Sequence, residues 1–270
     1  MGKESTIQWT DATWNIARGC SKVDDDCKYC YMYRDSFLNT RYDPKQVVKT
    51  KTVFNLPLKF KETKSKCHEG TPLIFTSSLT DFFHEGCDEF RDEAWDIIRK
   101  CPHLTFQILT KRPERIAAHL PSDWHSGWNN VWLGTSVGSQ KGIQRAWDLL
   151  QIVHAKCFFL SIEPMHEEVD LNAAELLLKN WRNMATIGQY FDWVIVGGES
   201  GNETGLYRYR PCKLEWIEKV VEQCKENNVP IFVKQFGTFL AKELNMKDRH
   251  GGNIEEFPKH LQVREFPFIL

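Results

Sequence analysis

Three cysteines lie close together near the start of the chain, in the segment GCSKVDDDCKYCYMYR at residues 19–34. Six residues separate Cys20 from Cys27, and two separate Cys27 from Cys30. Thiolates bind soft iron and zinc, and structural zinc sites usually have four protein ligands. Three cysteines therefore supply one ligand fewer than a closed site, and they leave a metal position for another molecule.

Three interpretations of this cysteine loop, residues 19–34, are open. Packing in a core is disfavoured because charged residues surround the cysteines, namely Asp24, Asp25, Asp26 and Lys28. A zinc site would need a fourth, more distant ligand, for which the chain offers Cys67, His68, His84 and Cys87. No second Cys-x2-Cys pair is present, which disfavours a zinc ribbon or knuckle. The third interpretation is a [4Fe-4S] cluster bound through three irons, with the fourth iron open to a small molecule.

The bulk composition predicts one globular domain over residues 1–270, with a C-terminal extension from about 238. The chain is 41% hydrophobic and 26% charged, which is typical of a folded protein. The N-terminal segment lacks the apolar core of a signal peptide, and no later stretch approaches the roughly 20 apolar residues of a membrane span. We therefore expect a cytoplasmic protein with no membrane partner, whose nine cysteines are mostly reduced.

Seven short β-branched or aromatic segments alternate with helical patterns along the chain. The helical patterns lie at 90–98, 143–150 and 214–224, with Ser139 predicted to cap the second and Asn227–Asn228 to end the third. The predicted strands are 13–18, 73–77, 105–110, 131–135, 157–162, 193–197 and 230–234. This alternation predicts an α/β fold of about six to seven parallel strands, as a wound open sheet or a complete or partial barrel.

Polar and glycine-rich clusters follow these predicted strands. In parallel α/β folds, functional sites gather at the carboxyl ends of the strands. We therefore expect the clusters to face one mouth, although each could also be a simple turn. The clusters are at 17–20, 77–81, 110–112, 134–140, 161–164, 197–202 and 234–237.

The cysteine loop resembles that of the radical S-adenosylmethionine (SAM) superfamily, in which a cysteine, any residue, an aromatic and a cysteine follow the first strand of a partial (β/α) barrel. Here that ending is Cys27-Lys28-Tyr29-Cys30, although six rather than three residues separate the first two cysteines. A narrower resemblance, to the phage-associated three-cysteine-motif family of radical SAM proteins, extends from residue 6 to residue 267. It is carried by TIQWTDATWNIARGCSKVDDDCKYCY, SSLTDFFHEG, LTKRPER, VWLGTSVGSQ, FLSIEPM, WVIVGGESG, VPIFVKQFG and VREFP.

The resemblance implies a cofactor chemistry. Cys20, Cys27 and Cys30 would bind a [4Fe-4S] cluster, and SAM would chelate the open iron. An electron from a donor such as flavodoxin or ferredoxin would then cleave SAM to methionine and a 5′-deoxyadenosyl radical, in the host cytoplasm if the protein is phage-encoded. The residues expected to bind SAM are Tyr29, Ser77, Ser78, Asp81, Thr135, Ser136, Glu163, Gly197 and Gly198. The two glycines are expected to let the backbone approach a ligand closely.

Other strand-end residues are candidates for substrate binding. Cations and an amide at the mouth would attract phosphate or carboxylate, although they could also be solvated surface side chains. These residues are Lys111, Arg112, Lys234 and Gln235. Glu199 is either a ligand contact or a rim charge. Cys87 is a weak candidate for returning a hydrogen atom, against a structural cysteine.

Two function classes remain. The first is a radical SAM enzyme that modifies a nucleotide or a DNA base, including isomerisation of a glycyl-thymidine substituent from nitrogen to carbon linkage. The link to nucleic acid comes from the phage resemblance, with support from segment 45–66, which has seven lysines and one acid in a chain of net charge −1. The second class is a non-enzymatic nucleic-acid-binding protein stabilised by zinc.

Overall fold

The structure is a computed structural model that describes residues 5–34, 43–152, 154–172, 190–205 and 208–268. The strands of these residues are β1 (Ala12–Trp14), β2 (Ala17–Arg18), β3 (Val48–Lys49), β4 (Leu73–Thr76), β5 (Thr105–Thr110), β6 (Val131–Ser136), β7 (Phe158–Met165), β8 (Trp193–Gly198) and β9 (Ile231–Gln235). The helices are α1 (Tyr31–Arg34), α2 (Asp88–Lys100), α3 (Gln144–Ile152), α4 (Leu214–Glu226) and α5 (Gly237–Glu243).

Seven of these strands form a parallel sheet in the order β1-β4-β5-β6-β7-β8-β9. The order of the seven strands in the sheet follows their order in the chain, and α2, α3 and α4 each lie between two successive strands, as crossover connections of parallel strands require. The predicted α/β class with about six to seven parallel strands is therefore confirmed, and it is consistent with a partial (β/α) barrel. Among the described residues, no helix has the length and apolarity needed to cross a membrane.

The chain divides into two compact units. The first unit comprises residues 1–23, 32–135 and 148–156, and the second comprises residues 24–31, 136–147 and 157–270. This division runs through the cysteine loop, so that Cys20 belongs to the first unit and both Cys27 and Cys30 belong to the second.

Aromatic side chains form much of the core of the first unit. The ring of Trp14 packs edge-on against Phe106 at 5.5 Å, and that of Trp95 packs against Phe82 at 4.9 Å. Trp95 lies on α2, whose buried face includes Phe90, Ala94, Ile97 and Ile98 as predicted from their helical spacing. Acidic residues in the first turn of α2 and basic residues in the last turn suit the helix dipole.

The first predicted strand, 13–18, is wrong as a single strand. β1 ends at Trp14, and Ala17 and Arg18 pair instead with β3 in a separate antiparallel ladder. Asn15 explains the break, because its side-chain oxygen accepts a hydrogen bond from Leu79 N at 2.7 Å. The chain leaves the sheet at this point, and the cysteine loop begins directly after β2.

In the second unit, β7, β8 and β9 pair in parallel, and α4 supplies a buried face. The predicted end of this helix is confirmed, since Asn227 is its C-cap and Asn228 has a left-handed φ of 56°. The predicted cap at Ser139 is displaced: Ser139 precedes a 3-10 turn, Gln140–Ile143, and α3 begins only at Gln144.

The segment after α5 packs back onto the second unit. Val233 N donates to Val263 O at 2.9 Å, and the ring of Phe266 stacks on Trp193 with centroids 5.4 Å apart. These contacts make the C-terminal residues part of the core of this unit.

Candidate cofactor site

The first cysteine of the loop is held by an arginine of the first unit. Cys20 is partly exposed, and Arg112 Nη1 lies 3.9 Å from its Sγ. Arg112 Nη2 donates to both oxygens of Ser21, at 2.9 Å to the carbonyl and 2.8 Å to Oγ. A guanidinium beside a sulfur favours the thiolate, which is the form that binds metal.

Arg112 is in turn fixed by Asp81, which follows β4. The Asp81 carboxylate accepts hydrogen bonds from Arg112 Nη1 at 3.2 Å, Lys111 N at 2.9 Å and Thr110 Oγ1 at 2.7 Å. Arg112 and Asp81 are only 7% and 6% exposed. Burial alone would lower the pKa of Arg112, but the negative charges of Asp81 and Cys20 raise it above its ordinary value. Both residues thus have protein partners. The sequence had predicted that Arg112 contacts substrate and that Asp81 contacts SAM.

His84 completes this network in the first unit. Gly86 N donates to its Nδ1 at 3.0 Å, and Ser21 Oγ lies 2.9 Å from its Nε2. Burial, and next the nearby Arg112 charge, lower the pKa of His84 below its ordinary value. The neutral ring keeps an acceptor lone pair on one nitrogen, which can accept from Gly86 N at Nδ1 or from Ser21 N at Nε2, 3.1 Å away.

Ser77 has an unused hydrogen-bonding group at the end of β4. Its hydroxyl is buried without a hydrogen-bond partner, and its backbone has a φ of 72° in the left-handed region. Neighbouring candidates are engaged with protein: Ser78 Oγ accepts from Asn15 Nδ2 at 3.0 Å, and Thr135 Oγ1 donates to Thr110 O at 2.8 Å. A strained residue with an unsatisfied hydroxyl is the best placed of the predicted SAM residues in this unit.

The other two cysteines flank a short turn in the second unit. A 3-10 turn spans Asp25–Cys27, and Asp24 caps it by accepting from Asp26 N at 2.9 Å. Cys30 N then donates to Cys27 O at 3.4 Å. Both cysteines are partly exposed. The turn gives this end of the loop a defined backbone.

Asp26 anchors that turn to the second unit. Its carboxylate accepts hydrogen bonds from Arg145 Nη2, from Gly138 N at 3.0 Å and from His166 Nε2 at 2.7 Å. Arg145 also binds the Asp24 carboxylate. Asp26 is itself 4% exposed and paired, whereas the three loop cysteines are partly exposed.

Gly138 is required for this anchor. A Cβ at this position would lie 2.7 Å from Asp26 Oδ1 and 2.6 Å from Pro164 O, closer than real Cβ contacts. The glycine of the GTSVGSQ cluster therefore serves the approach of the carboxylate.

Glu199, at the end of β8, binds an arginine instead of forming a rim charge. Arg210 holds it through a fork, with Nε and Nη2 each 2.8 Å from a carboxylate oxygen. The third nitrogen, Nη1, donates to Asp25 O at 2.8 Å in the cysteine loop. The Arg210 guanidinium also lies 5.4 Å from the ring centre of Tyr29, and hydrogen bonding to Arg208 is the main cause of a lowered Tyr29 pKa.

The remaining strand-end candidates of the second unit mostly contact protein. Glu163 forms an ion pair with Lys234, and Gln235 Nε2 donates to Gly198 O at 3.0 Å. A Cβ on Gly198 would lie 2.1 Å from Phe236 O, and a Cβ on Gly197 would lie 3.1 Å from Gln235 O. Close packing of the backbone therefore accounts for both glycines, and their expected role toward a ligand stays a prediction. Ser136 O accepts from Arg145 Nε at 2.8 Å.

Exposure separates the loop cysteines from the buried ones. Cys87 is fully buried, and its Sγ lies 3.7 Å from Asp81 O. Burial raises the pKa of Cys87 to about 12, so it remains a thiol. The other buried cysteines are Cys101, Cys157, Cys212 and Cys224.

The chain matches the model of a family over residues 4–262, and that family is described as "Protein of unknown function (DUF5131)". The chain belongs to this family. No curated protein and no solved structure matches it.

The donor chemistry of this DUF5131 chain fits an iron–sulfur cluster. Its three loop cysteines are partly exposed, and Arg112 contacts the first of them. Within the described residues, no three His, Cys, Asp or Glu side chains form a group that could hold a single metal ion. A cubane differs from a single ion in that each thiolate binds a separate iron.

The charged partners that hold the loop were not predicted from the sequence. Arg145, His166 and Arg210 were not singled out, and His84 was considered only as a zinc ligand. Arg145 lies five residues after the predicted polar cluster at 134–140 and His166 two residues after that at 161–164, which was the available signal. Their partner Asp26 is 119 and 140 residues away in the chain, so the pairing required the fold.

Proposed function

We propose that this protein is a radical SAM enzyme in which Cys20, Cys27 and Cys30 bind a [4Fe-4S] cluster. The observation that carries this proposal is that these three cysteines share one loop and are partly exposed, whereas five others are buried. When bound, the cluster and SAM would supply a 5′-deoxyadenosyl radical, and the protein would orient the substrate and exclude competing reactions.

Each end of the cysteine loop has its own anchor, which supports a role as a metal-binding loop. In the first unit, Arg112 binds Ser21 and contacts Cys20. In the second unit, Asp26 fixes the turn that leads to Cys27. Ligands held by such outer contacts retain their orientation when metal binds.

Ser77 and Tyr29 are the proposed SAM contacts with the best support. Ser77 has a buried hydroxyl without a partner, and an unsatisfied buried group of this kind suits a polar ligand. Tyr29 has a partly exposed ring beside Arg210, which suits an aromatic base. Asp81 and Glu163 have protein partners and would support the site indirectly.

The proposed substrate is a nucleotide or a DNA base, and the proposed reactions include isomerisation of a glycyl-thymidine substituent. The exposed lysines Lys59, Lys61 and Lys64 support an anionic substrate. A low-potential donor such as flavodoxin or ferredoxin would supply the electron.

The decisive experiment is anaerobic reconstitution with iron and sulfide. We expect about four irons per chain in the wild type, and loss of the cluster spectrum in Cys20→Ala, Cys27→Ala and Cys30→Ala. Cys67→Ala is the matched control, because Cys67 is also partly exposed but lies outside the loop. Stoichiometric zinc without iron would instead favour the zinc-stabilised binding protein.

Reaction class can be assigned with the reconstituted protein. It is incubated with SAM, a reductant and candidate nucleosides, nucleotides or DNA, and the products are analysed by mass spectrometry. Formation of 5′-deoxyadenosine in the wild type, and its loss in Cys27→Ala, would support the proposal. A cluster that never cleaves SAM would contradict it.

A further inference from the structure

We propose that Arg112 is a positioning residue that raises the reduction potential of the cluster through its contact with Cys20, an inference that rests on the proposed function. Arg112 Nη1 lies 3.9 Å from Cys20 Sγ. Hydrogen bonds to ligand sulfurs and nearby charge are the means by which proteins set cluster potentials.

The arginine is held in place at its backbone and at both terminal nitrogens of its side chain. Its backbone N donates to Thr110 Oγ1 at 2.9 Å, Nη1 binds Asp81, and Nη2 binds both oxygens of Ser21. These partners fix the planar fork, so its position beside the sulfur does not depend on a flexible side chain. Arg112 is also 7% exposed, so water screens its charge weakly.

The sign of the effect follows from charge. Reduction adds an electron to the cluster, and a cation or an N–H donor at a ligand sulfur stabilises the more negative, reduced form. Arg112 therefore raises the potential, while the Asp81 carboxylate, 3.2 Å from Nη1, offsets part of that charge. Replacing Arg112 should lower the potential, and replacing Asp81 should raise it. A purely structural role would not produce shifts of opposite sign.

The test is a redox titration of the reconstituted cluster, followed by EPR and visible absorption. In Arg112→Met we expect the ratio of reduced to oxidised cluster at a fixed solution potential to fall about tenfold, equivalent to about 59 mV for a one-electron couple. Arg112→Lys keeps the charge but lacks the fork, so a smaller fall is expected. Asp81→Asn should increase the ratio.

Arg115→Met is the matched control. Arg115 lies three residues further along the chain, donates to Phe83 O at 2.7 Å and pairs with Asp88 at 2.8 Å, away from the loop contacts described above. We expect it to leave the potential unchanged.

Two results would overturn the inference. One is a wild-type cluster whose potential is the same in Arg112→Met and Arg115→Met. The other is loss of the cluster in both Arg112 variants while Arg115→Met retains it, which would make Arg112 only a structural support. If the wild type itself forms no cluster, the proposed function is wrong. Reconstitution of the wild type therefore distinguishes this failure from a failure of the inference about Arg112.

Discussion

His166 Nε2 lies 2.7 Å from Oδ1 of Asp26, the residue directly before Cys27. The other carboxylate oxygen accepts from Gly138 N at 3.0 Å and from Arg145. Three donors from the second unit thus surround one buried acid, and the turn that carries Cys27 depends on it.

Replacing Asp26 should destabilise the protein strongly. Asp26→Ala removes the buried carboxylate that Arg145 and His166 share, and removal of one member of a buried ionic network typically costs about 3–5 kcal/mol. Chemical denaturation of the metal-free protein measures this change. Glu168→Gln is the control, since Glu168 pairs with Lys219 at an exposed site and should cost less than about 1 kcal/mol. Equal effects of the two substitutions would contradict a buried anchor.

His84 should make stability fall below neutral pH. Burial and Arg112 lower its folded-state pKa below the ordinary value of 6.5, so the unfolded chain gains a proton that the folded protein resists. Its stabilising contribution is therefore complete above about pH 6.5 and is lost as pH falls toward the folded-state pKa. One such group can lower the free energy of unfolding by at most about 1.4 kcal/mol per pH unit.

The pH effect is measured as the free energy of unfolding between pH 7.5 and 5.5, values chosen to bracket the ordinary histidine pKa of about 6.5. In His84→Gln the fall should be shallower than in the wild type. The exposed His125 provides the control, and His125→Asn tolerates its φ of 46° and should leave the slope unchanged. A wild-type slope in His84→Gln would show that other groups cause the pH dependence.

The regular elements could be predicted from the sequence, whereas the ionic anchors could not. Apolar spacing was enough to find α2, α4 and the strand runs, because burial of one face depends on local pattern. The break after Trp14 was missed because it depends on Asn15 binding Leu79, 64 residues away. Likewise, Arg112, Lys234 and Glu199 were recognised as strand-end residues, but their partners decide whether their charges are available to a ligand.

Gly198→Ala should destabilise the protein without any ligand present. The new Cβ would meet Phe236 O at 2.1 Å, and forced overpacking typically costs about 1–3 kcal/mol. Gly197→Ala is the graded control. Its new Cβ would lie 3.1 Å from Gln235 O, so the loss of stability should be smaller. Thermal unfolding of both variants measures the difference. If Gly198→Ala were as stable as the wild type but bound SAM poorly, the ligand role expected from the sequence would be restored.

Cysteine labelling should distinguish the loop thiols from the rest. In metal-free native protein, an alkylating reagent should modify Cys20, Cys27 and Cys30 first, because they are partly exposed. Cys67 should react more slowly, since burial raises its pKa to about 11 and leaves little thiolate. The five buried cysteines should react only after denaturation, as followed by peptide mass spectrometry. Early labelling of Cys87 would instead support an accessible, reactive role for that residue.

The lysine-rich segment offers a test of whether DNA or a free nucleotide is the substrate. Lys59, Lys61 and Lys64 are exposed. Phosphate contacts by such lysines release counterions from DNA, so affinity should fall steeply as salt increases.

We expect the wild type to bind DNA at low salt, and the triple variant Lys59→Gln, Lys61→Gln, Lys64→Gln to bind more weakly with a shallower salt slope. Each lost phosphate contact should reduce the slope of log affinity against log salt by about 0.7 to 0.9. Fluorescence anisotropy across a salt series measures both quantities. Lys219→Gln is a control for lost charge, because Lys219 already pairs with Glu168 and Asp170. Absence of DNA binding at low salt would exclude DNA as the substrate, because the attraction between lysines and phosphates is strongest at low salt. A free nucleotide would then become the better candidate.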